Sequence, residues 1–291
     1  MSTNINSTYI THPRQSGAQV HVVTVTPSSG AADELTPLLL VHGLGSSSSY
    51  WLGLLGTRDG QELVKGRTVW AIDAYGHGKS GRRQDDKSIP DLTESLGAIT
   101  EALLKDSKHQ QVILSGHSMS GYTTSLLAAT RPDLIEKLVL HSPTVRLPDA
   151  GKQGLAKRGQ DALASLSSQS QVALTVARTG VSPNSLEKNP LASAFIRHLI
   201  LNTDQESYAV ACNALATSTD DMFKPQDIKC PVHFVHGEKD YMVKEDVLRG
   251  WAKEMGGKTE AGVTVLPGIG HWGAVESPEE VAKAFKQAIV G

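Results

Sequence analysis

The sequence predicts an α/β fold: a mostly parallel sheet covered by helices on both faces, with a helical insertion. Three observations carry that prediction. Short aliphatic runs recur along the chain, longer segments with helical spacing separate them, and the strand-like rhythm lapses between residues 144 and 221.

Residues 20–26 (VHVVTVT) read as an early strand, and residues 37–41 (PLLLV) as one buried on both faces. Residues 68–72 (TVWAI), 111–114 (QVIL), 138–140 (LVL), 231–235 (PVHFV) and 262–266 (GVTVL) follow in the same style. Unbroken apolar strands joined by helices imply a parallel sheet, because the crossover helices cover both of its faces. Helices are expected over 90–104, 120–129 and 245–254. A last one opens at Ser277-Pro278-Glu279-Glu280, where serine and glutamate form a capping box and proline takes the first helical position. Between 144 and 221 Ala, Leu, Gln and Ser dominate, with helical spacing in 154–166, 191–201 and 207–216. The chain therefore reads as one α/β domain, residues 1–143 and 222–291, carrying a helical insertion at 144–221. Serines 46–49 read as a short loop.

Composition narrows the partners. A hydrophobic content of 39%, a charged content of 20% and a formal net charge of −2 describe an ordinary globular protein. That charge gives no electrostatic reason to bind nucleic acid or an anionic membrane. An aromatic content of 5% is low for a base-stacking platform. No stretch reaches the roughly 18 apolar residues of a membrane helix. The first fifteen residues lack the cationic start and apolar run of a secretory leader, so a cytoplasmic protein is expected. Cys212 and Cys230 form neither a CxxC pair nor a disulfide framework and read as structural thiols. The sequon at Asn6-Ser7-Thr8 is then incidental.

Four features carry chemistry. Ser115-Gly116-His117-Ser118-Met119-Ser120-Gly121 follows the run QVIL and precedes a helix, the setting in which a strained strand-to-helix turn exposes a serine nucleophile. Gly116 supplies one small neighbour. Ser120 stands where G-x-S-x-G has its second glycine, and Gly121 comes next. A purely structural turn is the competing reading. His42-Gly43-Leu44-Gly45 ends the run PLLLV, where a loop can aim a backbone N–H at a developing oxyanion. The Leu44 and Met119 amides are the candidate donors, while His42 reads as a loop-stabilising side chain. Gly237-Glu238-Lys239-Asp240 follows PVHFV, and a carboxylate there can accept the imidazole Nδ1–H. Asp240 is the candidate and Glu238 its competitor. Gly268-Ile269-Gly270-His271-Trp272 puts a histidine on a glycine-rich loop after the final strand, free to reach both Ser118 and Asp240.

The order Ser, Asp, His, together with HGLG at 42–45, GHSMSG at 116–121 and GHWGAVESP at 270–278, resembles the α/β-hydrolase superfamily. The branch is that of 3-oxoadipate enol-lactonases, small esterases and non-haem haloperoxidase-like proteins. Asp73-Ala74-Tyr75-Gly76-His77-Gly78-Lys79-Ser80 is similar to that family's D-x-x-G-x-G-x-S loop. The resemblance runs over nearly the whole chain, except the helical middle, which the family uses as a cap over the site. It implies an eight-stranded, mostly parallel sheet and hydrolysis of a small ester or lactone. It also implies a Ser118–His271–Asp240 triad, an oxyanion hole from the Leu44 and Met119 amides, and no metal or organic cofactor. Two other readings stay open: C–C bond cleavage on the same triad, and a small-molecule receptor that keeps the hydrolase pocket. Serine at the elbow, in place of aspartate, argues against haloalkane dehalogenase or epoxide hydrolase chemistry.

Several decoys fall away. Gly76–Gly81 fits G-x-G-x-x-G, but a dinucleotide site needs a helix to open there, and Arg82-Arg83-Gln84-Asp85-Asp86 reads as a charged loop. The GKS at 78–80 lacks the upstream glycine of a phosphate-binding loop. His233 and His236 would point to opposite faces of a strand and do not make a metal pair. Asp73 reads as a brace for the loop near the oxyanion hole.

Overall fold

Strand β1 (Thr3–Thr11) forms one edge of the sheet and pairs antiparallel with β2 (Gln19–Pro27) along its whole length. β2 in turn pairs antiparallel with β4 (Val69–Ile72). From β4 onward the ladder is parallel, through β3 (Leu38–Val41), β5 (Val112–His117), β6 (Ile135–His141), β7 (Val232–Gly237) and β8 (Gly262–Leu266). The order across this eight-stranded sheet is β1-β2-β4-β3-β5-β6-β7-β8. The computed structural model describes residues 3–11, 18–28, 34–81, 87–144, 146–255 and 261–290. The loop expected at Arg82–Asp86 lies outside them.

The central strands are buried on both faces, as their sequences predict: every residue of β3, β4 and β5 is buried. On one face pack α3 (Ile89–Leu104), α4 (Met119–Thr130) and α10 (Glu245–Met255), the last two joined through a 3₁₀ turn at Pro225–Asp227. On the other pack α1 (Ser49–Gly56), α2 (Arg58–Val64), α11 (Gly273–Glu276) and α12 (Pro278–Val290). The predicted helix starts have physical causes. Ser88 caps α3 in a reciprocal box with Asp91, next to a proline in the first turn. Ser277 bonds the Glu280 carboxylate at the head of α12.

Between β6 and β7 lie five helices: α5 (Asp149–Ala164), α6 (Leu166–Thr179), α7 (Pro183–Lys188), α8 (Pro190–Leu201) and α9 (Gln205–Ala216). α5 packs on α6 and α9, and α6 on α8. The helix expected over 154–166 starts earlier and ends at Ala164. There Ser165 is extended, and its Oγ accepts the Ser168 amide at 3.0 Å to start α6. Among the described residues no helix is long and apolar enough to cross a membrane.

The parallel register brings the ends of β3, β5, β7 and β8 to one edge. Val41 lies opposite Gly116, His117 opposite His141, His141 opposite Val235, and Gly237 opposite Leu266. Each chemistry-bearing loop leaves a strand at this carboxyl edge, where open α/β sheets place their ligand crevice.

Candidate active site

Ser118 sits at the junction of β5 and α4 with φ 53° and ψ −120°. That is strained for a residue with a Cβ and is held by packing and hydrogen bonds around it. A Cβ on Gly116 would lie 2.3 Å from the Ser120 carbonyl oxygen, and one on Gly121 would lie 2.4 Å from Pro143 Cβ, so the turn closes only with glycine at both positions. The Ser118 amide donates to the His141 carbonyl at 3.2 Å, and the Ser118 carbonyl accepts the Gly121 and Thr144 amides. Ser120, where the motif has glycine, has a use: its hydroxyl donates to the His42 carbonyl and ties the turn to the loop after β3.

His271 lies between the serine and a carboxylate. Its Nε2 is 2.8 Å from Ser118 Oγ and its Nδ1 is 2.8 Å from Asp240 Oδ2. A carboxylate can only accept, so Nδ1 carries the proton and Nε2 is free to take one from the serine. Asp240 is buried, and its second oxygen accepts the Met242 amide at 2.7 Å and the Val243 amide at 3.3 Å. Burial raises its pKa, but His271, His236 and the Met242 amide outweigh that and hold the carboxyl below its ordinary value. Glu238 instead faces outward and accepts the Gly268 amide at 2.8 Å.

Leu44, Ser118 and His271 line one small cavity of about 30 Å³, together with Tyr241, Trp272 and Arg158. The Met119 side chain points elsewhere, into a separate space beside Ala74 and Leu96. Only its amide remains as a donor, and as the first helical residue that amide has no partner within the helix. His42 donates from Nδ1 to the Gly43 carbonyl at 2.7 Å and accepts the Ala74 amide on Nε2 at 2.9 Å, so it is neutral and braces the loop. Burial lowers its pKa. Asp73 accepts the Ser48 amide, the Lys79 amide and the His21 ring N–H. It thereby joins the loops after β3 and β4 to β2.

Further contributors escape sequence reasoning. His117, the variable position of the serine motif, is fully buried and donates from Nε2 to the His271 carbonyl at 2.9 Å. Glu276 is buried, with one oxygen accepting the Gly270 amide at 3.0 Å and the other the Ser182 amide at 2.9 Å. The His271 amide donates to the Gly180 carbonyl at 2.9 Å. The histidine loop is thus anchored to the helical insertion. Finally, His236, set aside as half of a metal pair, has Nδ1 3.7 Å from Asp240 Oδ2. Among the described residues no group of three or more His, Cys, Asp or Glu could hold a metal.

The family model described as Serine aminopeptidase, S33 matches residues 35–277. The chain belongs to this α/β-hydrolase family. A (Lyso)-N-acylphosphatidylethanolamine lipase of Homo sapiens is 26% identical over 135 residues, which cover 46% of this chain and 36% of the lipase. The match thus spans little more than a third of that relative's length. An (E)-2-((N-methylformamido)methylene)succinate hydrolase of Acinetobacter baylyi is 24% identical over 206 residues, 70% of this chain and 72% of that protein. The enol-lactonase of Burkholderia xenovorans LB400 is 24% identical with a TM-score of 0.80, covering 97% of this chain and 98% of that one. It shares the fold of this family member from end to end. The likeness to the solved structure is one of fold.

Proposed function

We propose that this hydrolase cleaves a small ester or lactone through a covalent acyl-enzyme on Ser118. The observation that carries the reading is the unbroken relay from Ser118 Oγ through His271 to Asp240, at 2.8 Å for each link, behind a serine strained toward a cavity. In the first step Ser118 Oγ attacks the carbonyl carbon and its proton passes to His271 Nε2. Asp240 stabilises the imidazolium, and the Leu44 and Met119 amides hold the oxyanion, each worth about 10²–10³ in rate by analogy with other oxyanion donors. The tetrahedral intermediate collapses as the leaving oxygen takes the proton from His271. Water, deprotonated by His271, then attacks the acyl carbon and releases the acid and Ser118.

In this reading residues 144–221 form a cap on a core of residues 1–143 and 222–291. Supporting it, Leu155 and Arg158 of α5, Val176 of α6 and Tyr208 and Leu215 of α9 line the cavity that holds Ser118. The test is hydrolysis of p-nitrophenyl esters from acetate to octanoate and of small lactones, each run beside Ser118→Ala. Turnover that vanishes in the variant is expected. Turnover that survives Ser118→Ala would overturn the mechanism.

A further inference from the structure

Arg158 on α5 borders two spaces. It lines the cavity holding Ser118 and His271, and it also lines a cleft of about 350 Å³ between α5 and α6, together with Lys157, Asp161, Gln171 and Thr175. Val176 is shared by the two spaces in the same way. A guanidinium thus borders both the proposed nucleophile's cavity and the cleft.

Its immediate polar neighbours are two tyrosines and a cysteine. The guanidinium contacts the Tyr208 and Tyr241 hydroxyls and lies near the Cys212 thiol. Burial raises the Tyr208 hydroxyl above its ordinary range and the Cys212 thiol to about 12, so neither bears charge at neutral pH. The carboxylate on the same cleft, Asp161, is held by Lys157 at 2.8 Å. Among the described residues no carboxylate pairs with Arg158, whereas Arg131 has two, and Arg146 and Arg249 one each. A half-buried charge without a counter-ion is costly unless a ligand supplies the opposite charge.

The tyrosines connect this charge to the reacting groups. The Tyr208 ring packs on Gly45 of the oxyanion loop, where a Cβ would come within 2.7 Å of Cε2, and Gly45 adopts φ 70°. The Tyr241 ring meets His271 edge-on, with centroids 5.8 Å apart.

We propose that Arg158, with the Tyr208 and Tyr241 hydroxyls, binds a carboxylate on the substrate. The preferred substrate is then an anionic ester or lactone whose acid group is held while its carbonyl meets Ser118. The inference rests on the hydrolytic reading above. A carboxylate fits better than a phosphate dianion, because Lys157 and Asp161 cancel and leave a single positive charge, on a planar fork that matches a planar acid.

The test compares mono-p-nitrophenyl glutarate with its neutral methyl ester on the intact protein. The wild type should favour the anionic ester in kcat/KM by about tenfold or more. Arg158→Gln should bring the ratio near one, chiefly through KM, and Arg158→Lys should keep part of it because it keeps the charge without the fork. The ratio is internal to each preparation, so a partly folded variant does not mimic the effect. Ser118-dependent turnover of both esters without preference, or a preference that survives in Arg158→Gln, would overturn the carboxylate site and leave the hydrolase reading standing. If neither ester turns over, calorimetric titration with glutarate decides. Binding to the wild type that is lost in Arg158→Gln supports the site, and no binding to the wild type overturns it.

Discussion

Two regions of this molecule carry nearly the same hydrogen-bonded series of serine, histidine and aspartate. In one, Ser118 Oγ, His271 and Asp240 are linked at 2.8 and 2.8 Å. In the other, Ser7 Oγ is 2.7 Å from His21 Nε2, and His21 Nδ1 is 2.8 Å from Asp73 Oδ2. The distances do not separate them. What surrounds each serine does. Ser118 is in a left-handed conformation at a strand-to-helix turn and faces a cavity that Leu44 also lines. Ser7 lies exposed in the middle of edge strand β1, opposite Val23. Asp73 is also engaged by the Ser48 and Lys79 amides, which makes the second series a cross-link between strand and loops. Relay geometry is therefore a poor marker of a nucleophile unless a strained turn, a cavity and oxyanion donors accompany it.

The largest break in that symmetry should come from Ser118→Ala, which is expected to lower kcat for a short p-nitrophenyl ester by about 10⁴-fold or more with folding intact. Next, Asp240→Asn should fold and lose about 10³–10⁴-fold, because the histidine loses its fixed tautomer. Glu238→Gln should stay within about twofold. The reverse pattern would reassign the acid.

Acid sensitivity comes third. His42, His77, His117, His141 and His236 are held below the ordinary histidine value, first by burial, with His77 lowered to about 4 and His141 to about 3. The unfolded chain takes up protons on these histidines below about pH 6.5 while the folded protein does not, so stability falls as pH drops from there toward 4 and then 3. The slope is about 1.4 kcal/mol per pH unit for each such histidine. A urea midpoint that is flat between pH 7.5 and 5 would contradict this.

Glu276→Gln leaves one of two buried amides poorly paired and loosens the histidine loop from the insertion. A loss of about tenfold in kcat with little change in KM is expected, read from steady-state kinetics. Smallest of all, Ser7→Ala should leave hydrolysis within about twofold and reduce stability by no more than about 1 kcal/mol in urea unfolding.

The parts of the fold legible in the sequence are those whose burial is continuous. PLLLV, TVWAI, QVIL and PVHFV announce β3, β4, β5 and β7 because parallel strands covered on both faces are built mainly of aliphatic residues. β1 escapes because TNINSTYIT is exposed along nearly its whole length and is held by pairing with β2. The serine loop expected at 46–49 runs into α1, whose Tyr50, Trp51 and Leu54 are buried under the strands. In the site, Ser118, Asp240, His271 and Leu44 stand on local motifs. Glu276 and His117 act through backbone groups that only the folded chain brings near them. Arg158 lies on a helix whose sequence, DAGKQGLAKRGQDALA, gives no sign of the cavity it faces.

The most direct test of the contrast between the two serines is labelling with a p-nitrophenyl alkylphosphonate, followed by peptide mapping of the wild type, Ser118→Ala and Ser7→Ala. A single adduct on Ser118, absent from Ser118→Ala and undiminished in Ser7→Ala, is the predicted result. An adduct on Ser7, or labelling that persists without Ser118, would contradict the account.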